Sequence, residues 1–366
     1  MMTGLYIHIP FCGSRCPYCD FAFVVGQHRI AGRYVDALLE EFRTRTSGIS
    51  PDFETIFLGG GTPSEIEPSY LHRILDEVRN RSALSPEVEI TAEVNPEDRD
   101  RFDQIRKTGV NRLSIGVQAL ENETLKALGR RHTTEKAEAA YRSAREAGFD
   151  NVNIDLIFGV PNQTLDSWKQ TLDRACELDP DHLSIYGLTI EDGTAFARRA
   201  TRNQLPVPPE GDQAAMYEHT LDRLSDAGFI QYEISNFCKP GKACRHNVAC
   251  WERHEYLGIG LSAHSFLGGS RTWNISDLMA YIEKVEAIGT AGDTEEVITE
   301  SKQQLETIML GLRRPSGIPE ELAGNTLQLS NLIKGNLVEQ SKGRIRLTRP
   351  GLLLADLVCA ELAKGI

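Results

Sequence analysis

Two patterns of hydrophobic and polar residues alternate along the first half of the chain. Short apolar runs rich in β-branched residues are each followed by a turn, and then by a stretch in which apolar residues recur at helical spacing. Strands that alternate with helices in this way are typical of βαβ units, which build parallel sheets. The strand-like runs cover residues 5–10, 55–60, 88–94, 112–117, 151–159 and 182–189. The helix-like stretches cover residues 34–45, 69–81, 98–107, 121–128, 134–147 and 165–178.

Six strand–helix units are too many for one half of a Rossmann fold and fewer than the eight of a complete TIM barrel. The pattern therefore predicts an α/β fold, a partial six-unit (β/α)6 TIM-like barrel over residues 1–235. Residues 236–295 show little periodicity, so we expect an irregular segment that wraps the barrel. Residues 296–366 combine helix-like stretches with a hairpin at 337–348, which predicts a smaller, mainly helical, winged-helix-like C-terminal domain.

Charge and composition narrow the classes of partner. The 366 residues carry a formal net charge of −12, and such an acidic chain is not expected to hold nucleic acid by bulk charge. No apolar run approaches the ~18 residues that span a bilayer, and the N-terminal sequence lacks the basic and apolar regions of a secretory signal. We therefore expect a cytoplasmic protein without a nucleic-acid partner, and contact with a membrane would pass through a protein partner.

Three of the eight cysteines fall in the stretch FCGSRCPYCDF, with the spacing C-x3-C-x2-C directly after the first predicted strand. They are Cys12, Cys16 and Cys19. In a chain without a secretory signal, a tight cluster indicates a metal site rather than disulfides. Zinc would require a fourth ligand, for which Cys238, Cys244 and His246 are candidates. An iron–sulfur cluster on three thiolates would leave one iron open to a non-protein ligand, and three unliganded core cysteines are the remaining alternative.

The cysteine spacing, with Tyr18 just before the third cysteine, resembles the signature of the radical S-adenosylmethionine (SAM) superfamily. Further stretches are similar to the oxygen-independent coproporphyrinogen oxidase group: YIHIPFC, FLGGGTPS, AEVNPE, GVNRLSIGVQA, NIDLIFGVPNQT, HLSIYGLTIEDGT, YEISNF and YLGIGLSAHS. In this superfamily the open iron of a [4Fe-4S] cluster chelates SAM, and the reduced cluster cleaves SAM to a 5′-deoxyadenosyl radical. The resemblance implies that the three cysteines hold such a cluster, that SAM is a second cofactor, and that a reductant serves the cluster.

The resemblance also assigns a SAM pocket. Glycines in the GGGTP stretch, after the second predicted strand, let backbone amides approach a ligand closely, and polar residues that end barrel strands are typical of active sites. Taken singly, each of these residues would more often be an ordinary turn, loop or capping residue. The resemblance implies that SAM contacts Tyr6, Tyr18, Gly60, Gly61, Thr62, Glu93, Gln118, Arg130 and Asp155.

Two departures from the oxidases favour a sister branch, the HemW-type haem chaperones. The oxidases carry a fourth cysteine two residues after the third, where this chain has Phe21, and a longer N-terminal extension. The branch binds haem and passes it to acceptor proteins, so we expect haem as cargo and haem-accepting proteins as partners, including membrane-bound respiratory ones. A second copy of the chain is a further candidate partner. Coproporphyrinogen decarboxylation is not expected, although an oxidase, or a related methyltransferase or cyclopropanase, is the alternative. The sequence leaves open whether SAM cleavage is catalytic or regulatory.

Members of that branch often carry an HN-x-x-Y motif linked to haem binding. Here the stretch reads HNVAC, so His246 and Asn247 match and Cys250 replaces the tyrosine. Histidine and cysteine thiolate are both axial ligands of haem iron, so His246 and Cys250 are the predicted haem-binding residues. Alternatively, His246 is a structural histidine and Cys250 is a buried, unreactive cysteine.

Overall fold

The computed structural model describes residues 4–323 and 326–364. All six predicted barrel strands are present, and two short strands flank the cysteine stretch. The first eight strands are β1 (Gly4–Ile9), β2 (Phe11–Cys12), β3 (Val24–Val25), β4 (Asp52–Gly60), β5 (Ala83–Val94), β6 (Arg112–Gln118), β7 (Val152–Phe158) and β8 (His182–Gly187). The strands β1, β4, β5, β6, β7 and β8 lie side by side in that order, each parallel to the next. The predicted partial barrel is thereby confirmed.

Helices cover the outside of this sheet, and their apolar faces pack on strands that are buried on both sides. The helix α6 illustrates how the sequence sets where a helix begins and which face it buries. Thr164 caps it by accepting a hydrogen bond from the Ser167 amide, and Trp168 on its inner face is fully buried. The helices are α1 (Ala31–Arg45), α2 (Pro68–Arg81), α3 (Phe102–Lys107), α4 (Asn122–Ala127), α5 (Thr134–Glu146), α6 (Leu165–Glu177), α7 (Ala195–Ala200) and α8 (Glu210–Asp226). No helix in the described part of the chain combines the length and apolar character needed to cross a bilayer.

The segment expected to be irregular is in fact regular. It extends the sheet at both edges, to twelve strands within the described residues. Its strands have only three to six residues, which is too short for a period to show in the sequence. The elements of this region are β9 (Ile230–Glu233), β10 (Asn236–Cys238), α9 (Arg245–Trp251), β11 (Tyr256–Ile259), β12 (His264–Leu267), β13 (Ser270–Asn274), α10 (Leu278–Ile288) and β14 (Gly292–Val297). The strand β11 pairs in parallel with β1, whereas β12, β13 and β14 continue the sheet as an antiparallel meander.

The last part of the chain has a small hydrophobic core of its own, formed by side chains such as Ile308, Ile345 and Val358. The predicted hairpin is present, and Lys342 and Gly343 turn it with positive φ angles. The predicted domain boundary at residue 296 falls inside β14 of the large sheet, and the division into domains stays a prediction. The elements are α11 (Glu300–Leu312), β15 (Ile318–Pro319), α12 (Thr326–Lys334), β16 (Val338–Ser341), β17 (Arg344–Leu347), α13 (Arg349–Leu353) and α14 (Ala355–Leu362).

Ion pairs join this C-terminal part to the barrel. The Arg313 guanidinium lies 3.0 Å from a carboxylate oxygen of Glu233, whose side chain is fully buried on β9. Arg253, at the end of α9, pairs in the same way with Glu306 of α11 at 3.0 Å. The position of the C-terminal elements is therefore fixed by charged groups as well as by apolar packing.

A buried carboxylate attaches the β11–α10 region to α1. Glu41 is fully buried; one of its oxygens accepts hydrogen bonds from the Gly260 amide and the Tyr281 hydroxyl, and the other accepts one from Asn274. Burial raises the pKa of Glu41, and the three donors partly oppose that effect. Since β11 pairs with β1, this carboxylate helps to fix the strand that leads into the cysteine stretch.

Candidate functional site

A cavity of about 360 Å³ opens at the carboxyl ends of the barrel strands. Its walls come from the loops after β1, β4, β5, β6 and β8, the barrel face at which TIM-type folds bind substrates. The three cysteines line it, together with eight of the nine residues that the sequence assigns to a SAM pocket. These residues are Cys12, Cys16, Cys19, Tyr18, Gly60, Gly61, Thr62, Glu93, Gln118, Arg130 and Asp155.

The cysteine stretch forms one wall of this cavity. The Cys12 sulfur lies 3.7 Å from the Thr62 hydroxyl, and Arg130 donates a hydrogen bond of 3.5 Å to the Cys16 sulfur. Burial raises the pKa of the Cys12 and Cys19 thiols to about 11. These two thiols are therefore protonated at neutral pH, and a metal centre would displace their protons on binding.

The candidate fourth ligands for zinc lie elsewhere. His246 hydrogen-bonds Thr55 near the amino end of β4, whereas the cysteines follow the carboxyl end of β1. Five residues of strand separate these two ends, about 17 Å at 3.3 Å per residue. Cys244 bonds Glu89 at the same far end, and Cys238 lies on β10, which pairs with β8 on one side and β9 on the other. The structure therefore brings no fourth protein ligand from this set to the three cysteines.

The glycine-rich stretch is locked to the cysteine stretch by its backbone amides. Gly60 donates to Glu93, Gly61 to the Ile9 carbonyl, and Thr62 to the Phe11 carbonyl, at 2.8–3.0 Å. A Cβ atom on Gly61 would lie 2.6 Å from backbone, so no larger residue fits there without a shift. The expectation that these amides approach a ligand is therefore wrong, because they are used within the protein.

Charged groups of both signs face the cavity. Burial, with the Asp155 charge as a second cause, raises the pKa of Glu93 to about 7. Burial also raises the pKa of Asp155, which accepts hydrogen bonds from Ser114 and Asn153 at 3.0 and 2.8 Å. Arg130 donates to Asn95 at 2.5 Å, and its buried Nε has no partner among the described residues. Among the charged lining groups, Glu93, Asp155 and Arg130 suit a ligand that carries both an ammonium and a carboxylate.

Backbone strain marks the end of β6. Gln118 has a φ angle of 68°, in the left-handed region, and the strand register shifts between Ile115 and Gln118. Such strain in a non-glycine residue is concentrated at functional sites. Two further lining residues, Asn95 and Tyr186, are absent from the sequence-based set. Both end barrel strands or follow them directly, so the rule that selected Glu93 could have found them.

Tyr6 does not line this outer cavity. It lines a second, inner cavity of about 260 Å³, which lies deeper in the barrel. Its hydroxyl donates to Nδ1 of His8, whose Nε2 donates to the Ala22 carbonyl. Burial lowers the pKa of His8 to about 4, so the ring is neutral. The inner cavity shares four lining residues with the outer one, which are Glu93, Ser114, Asp155 and Tyr186.

The two predicted haem residues lie on α9, at the opposite end of the barrel from the cysteines. His246 is 5 % exposed; its Nδ1 lies 2.9 Å from the Thr55 hydroxyl and its ring packs on Phe57. Burial lowers the pKa of His246 to about 4 and raises that of Cys250 to about 11. In this conformation His246 faces the inner cavity rather than the outside of the protein.

Comparison with known proteins identifies the family. Residues 6–175 match the Radical SAM superfamily. The chain is 36 % identical to the Heme chaperone HemW of Bacillus subtilis over 98 % of each chain. It is 41 % identical to the Heme chaperone HemW of Escherichia coli, over 71 % of this chain and 69 % of that one. The structure of coproporphyrinogen III oxidase (HemN) from Escherichia coli superposes with a TM-score of 0.87 and 26 % identity, over 100 % of this chain and 91 % of that chain. The chain therefore belongs to the radical SAM superfamily and, within it, to the family of the heme chaperone HemW.

Proposed function

We propose that this protein is a haem chaperone that holds a [4Fe-4S] cluster and SAM and delivers haem to acceptor proteins. One observation carries the proposal: a single cavity gathers the three cysteines with the carboxyl groups of Glu93 and Asp155 and the guanidinium of Arg130, in a chain whose relatives are named heme chaperones. The acceptors would include respiratory proteins at the membrane, and a cellular reductant would supply the cluster with electrons.

The three cysteines fit a cluster with one open iron. All three are half-buried and face the same cavity, with no fourth cysteine beside them in the described chain. Phe21 stands where the oxidases carry another cysteine. The Arg130 guanidinium, next to the Cys16 sulfur, would offset part of the negative charge of the thiolates. When bound and reduced, the cluster supplies the electron that cleaves SAM.

The remaining walls fit the parts of SAM. The Glu93 carboxylate is an acceptor for the ammonium, whereas Arg130 is a donor for the carboxylate. Asp155 and Gln118 offer polar atoms to the ribose hydroxyls. Tyr18 packs with Ile157 into an apolar wall suited to the adenine.

Anaerobic reconstitution with iron and sulfide tests the cluster. We expect wild-type protein to show a four-iron EPR signal after reduction, and Cys16→Ala to lose it. Cys176→Ala, which changes a half-buried cysteine on α6, is the matched control and should keep the signal. A normal four-iron signal in Cys16→Ala would show that the ligands are assigned wrongly.

Haem titration of the reconstituted protein tests the cargo. A Soret shift that saturates at one haem per chain is expected, followed by transfer to a membrane acceptor on mixing. Absence of any Soret shift would reject the chaperone proposal.

A coproporphyrinogen III oxidase is the second candidate, because the HemN structure superposes over the whole chain. The two candidates differ in product. Under anaerobic, reducing conditions with SAM we expect no decarboxylation of coproporphyrinogen III, and turnover of that substrate would favour the oxidase.

A further inference from the structure

We propose that haem binds across the mouth of the cysteine-lined cavity, with one apolar edge on Phe21, Phe23 and Leu188 and its propionates at Arg15 and Arg131. The inference rests on the proposed function, in which haem is the cargo. It adds a location that differs from the HNVAC stretch.

The mouth is apolar on two sides. Phe21 is 64 % exposed although it lines the cavity, and Phe23 lines it two residues later. On the facing side, Leu188 of the loop after β8 lines the cavity, as does Tyr186 near the end of β8. Single exposed apolar residues need no explanation, but here two separate segments turn such residues toward one opening. An apolar patch of this kind is typical of a binding surface.

Two arginines stand on the side of the mouth that the cysteine stretch forms. The Arg15 guanidinium lies 5.3 Å from the Phe23 ring centre and has no carboxylate partner among the described residues. Arg131 has a side chain that is 52 % exposed, and its distances to Glu65 and Glu97 are 3.7 and 3.8 Å, too long for hydrogen bonds. Both guanidinium groups therefore keep donors for carboxylates.

Acidic groups also line the opening, and they restrict how haem can lie. Asp20 and Glu191 belong to the lining of the cavity and would repel the propionates. Glu65 and Glu97 also line it, but both lie within ion-pair distance of Arg131, which offsets part of their charge. The two propionates of haem must therefore point toward Arg15 and Arg131, which fixes the direction of the ring across the mouth.

The predicted histidine is not accessible to a large planar ligand, whereas Phe21 at the mouth is exposed. His246 is 5 % exposed, bonded to Thr55 and covered by Phe57 at the other end of the barrel. Haem coordination there would require this end to open. The outer cavity, at about 360 Å³, is assigned to the cluster and SAM, so haem lies over the opening rather than inside it.

Haem titration of full-length, cluster-loaded variants tests the location. Phe21→Ser removes a large apolar contact, whose loss corresponds to a rise in Kd of about 10-fold or more, and we expect a similar rise for Arg15→Gln combined with Arg131→Gln. Ile288→Ser changes a residue that is 61 % exposed on α10, and as the matched control it should leave the Kd unchanged. Iron content and SAM binding, measured in parallel, establish that each variant is folded.

The outcomes separate the location from the function. If wild-type protein binds no haem, the proposed function itself fails. If wild type binds haem and the mouth variants bind it equally well, or only His246→Ala weakens it, the location is wrong. A second measurement is independent of variants: haem over the mouth should slow the release of preloaded radiolabelled SAM, and an unchanged release rate would overturn the inference.

Discussion

The ionisation of Glu93 should control the affinity for SAM. Its carboxyl lines the cavity, accepts a hydrogen bond from the Gly60 amide, and has a pKa raised to about 7 by burial and by the charge of Asp155. If the carboxylate receives the ammonium of SAM, binding requires the ionised form. Affinity should therefore fall as the pH drops below 7.

The size of the effect follows from this pKa. With a value of about 7, about a tenth of Glu93 is ionised at pH 6.0 and about three quarters at pH 7.5, so Kd should fall about 8-fold between them. An α-amino group has a pKa of about 7.7–8.0, so the SAM ammonium keeps most of its charge over this range.

Anaerobic equilibrium dialysis with radiolabelled SAM measures this dependence. Glu93→Gln should bind SAM more weakly and show almost no change of Kd between pH 6.0 and 7.5. The control is Glu97→Gln, which should keep the 8-fold change. Although burial acts in the opposite direction, the neighbouring His132, whose Nδ1 lies 3.5 Å from a Glu97 oxygen, lowers the pKa of Glu97 to about 2, so Glu97 is ionised throughout. A flat profile in wild type, or the same slope in Glu93→Gln, would refute the reasoning.

The stability of the SAM-free protein should change in the opposite direction. Because the folded pKa of Glu93 is raised from 4.5 to about 7, its contribution to stability is complete below pH 4.5 and is lost as the pH rises through 7. The difference corresponds to about 3 kcal/mol, which water in the cavity reduces. Glu93→Gln should lack this loss, as urea unfolding at pH 5 and 7.5 would show.

Three further substitutions test the packing around the site. Glu41→Ala leaves the Gly260 amide and the Tyr281 hydroxyl without an acceptor, at about 1–3 kcal/mol each, whereas Asn274 keeps the Gly260 carbonyl. Urea unfolding should therefore show a loss of about 2–6 kcal/mol, against less than about 0.5 for the exposed control Glu283→Ala; a loss below about 1 kcal/mol would mean that the donors find other acceptors. Gly61→Ala, with its Cβ 2.6 Å from facing backbone, should lower iron and sulfide content per chain, and full content would contradict the tight fit. Arg313→Met leaves the buried Glu233 without its guanidinium and should cost about 2–4 kcal/mol in urea unfolding; a neutral result would show that the pair adds nothing net.

The sequence predicts the barrel well because its strands are long and buried on both faces. The run VNIDLIF reads as a strand by its apolar content alone, and β7 spans Val152–Phe158. The strands after residue 230 escape prediction because their pairing is not local. The strand β11 depends on β1, some 250 positions earlier in the chain, and Glu41 acquires its partners from Gly260 and Tyr281.

The sequence predicts the site best for residues whose location in the barrel follows from their position along a strand. Glu93 ends a strand and Gln118 ends the next, so both reach the carboxyl face, as expected. Tyr6 lies three residues before the end of β1, about 10 Å lower in the barrel, and its side chain points into the inner cavity. The glycine stretch lines the cavity as predicted, but its backbone amides do not face a ligand. They are satisfied by tertiary contacts that no local sequence pattern encodes.

The inner cavity changes how variants of His246 should be interpreted. His246 lines it together with Glu93 and Asp155, which also line the outer cavity. A change at His246 can therefore alter SAM binding without any contact between His246 and haem. Loss of an axial ligand changes the position of the Soret band, whereas a disturbed SAM pocket changes only affinities. Weaker haem binding by His246→Ala with an unshifted Soret band and weaker SAM binding would thus place the effect in the barrel interior, and a shifted band with normal SAM binding would place haem on the histidine.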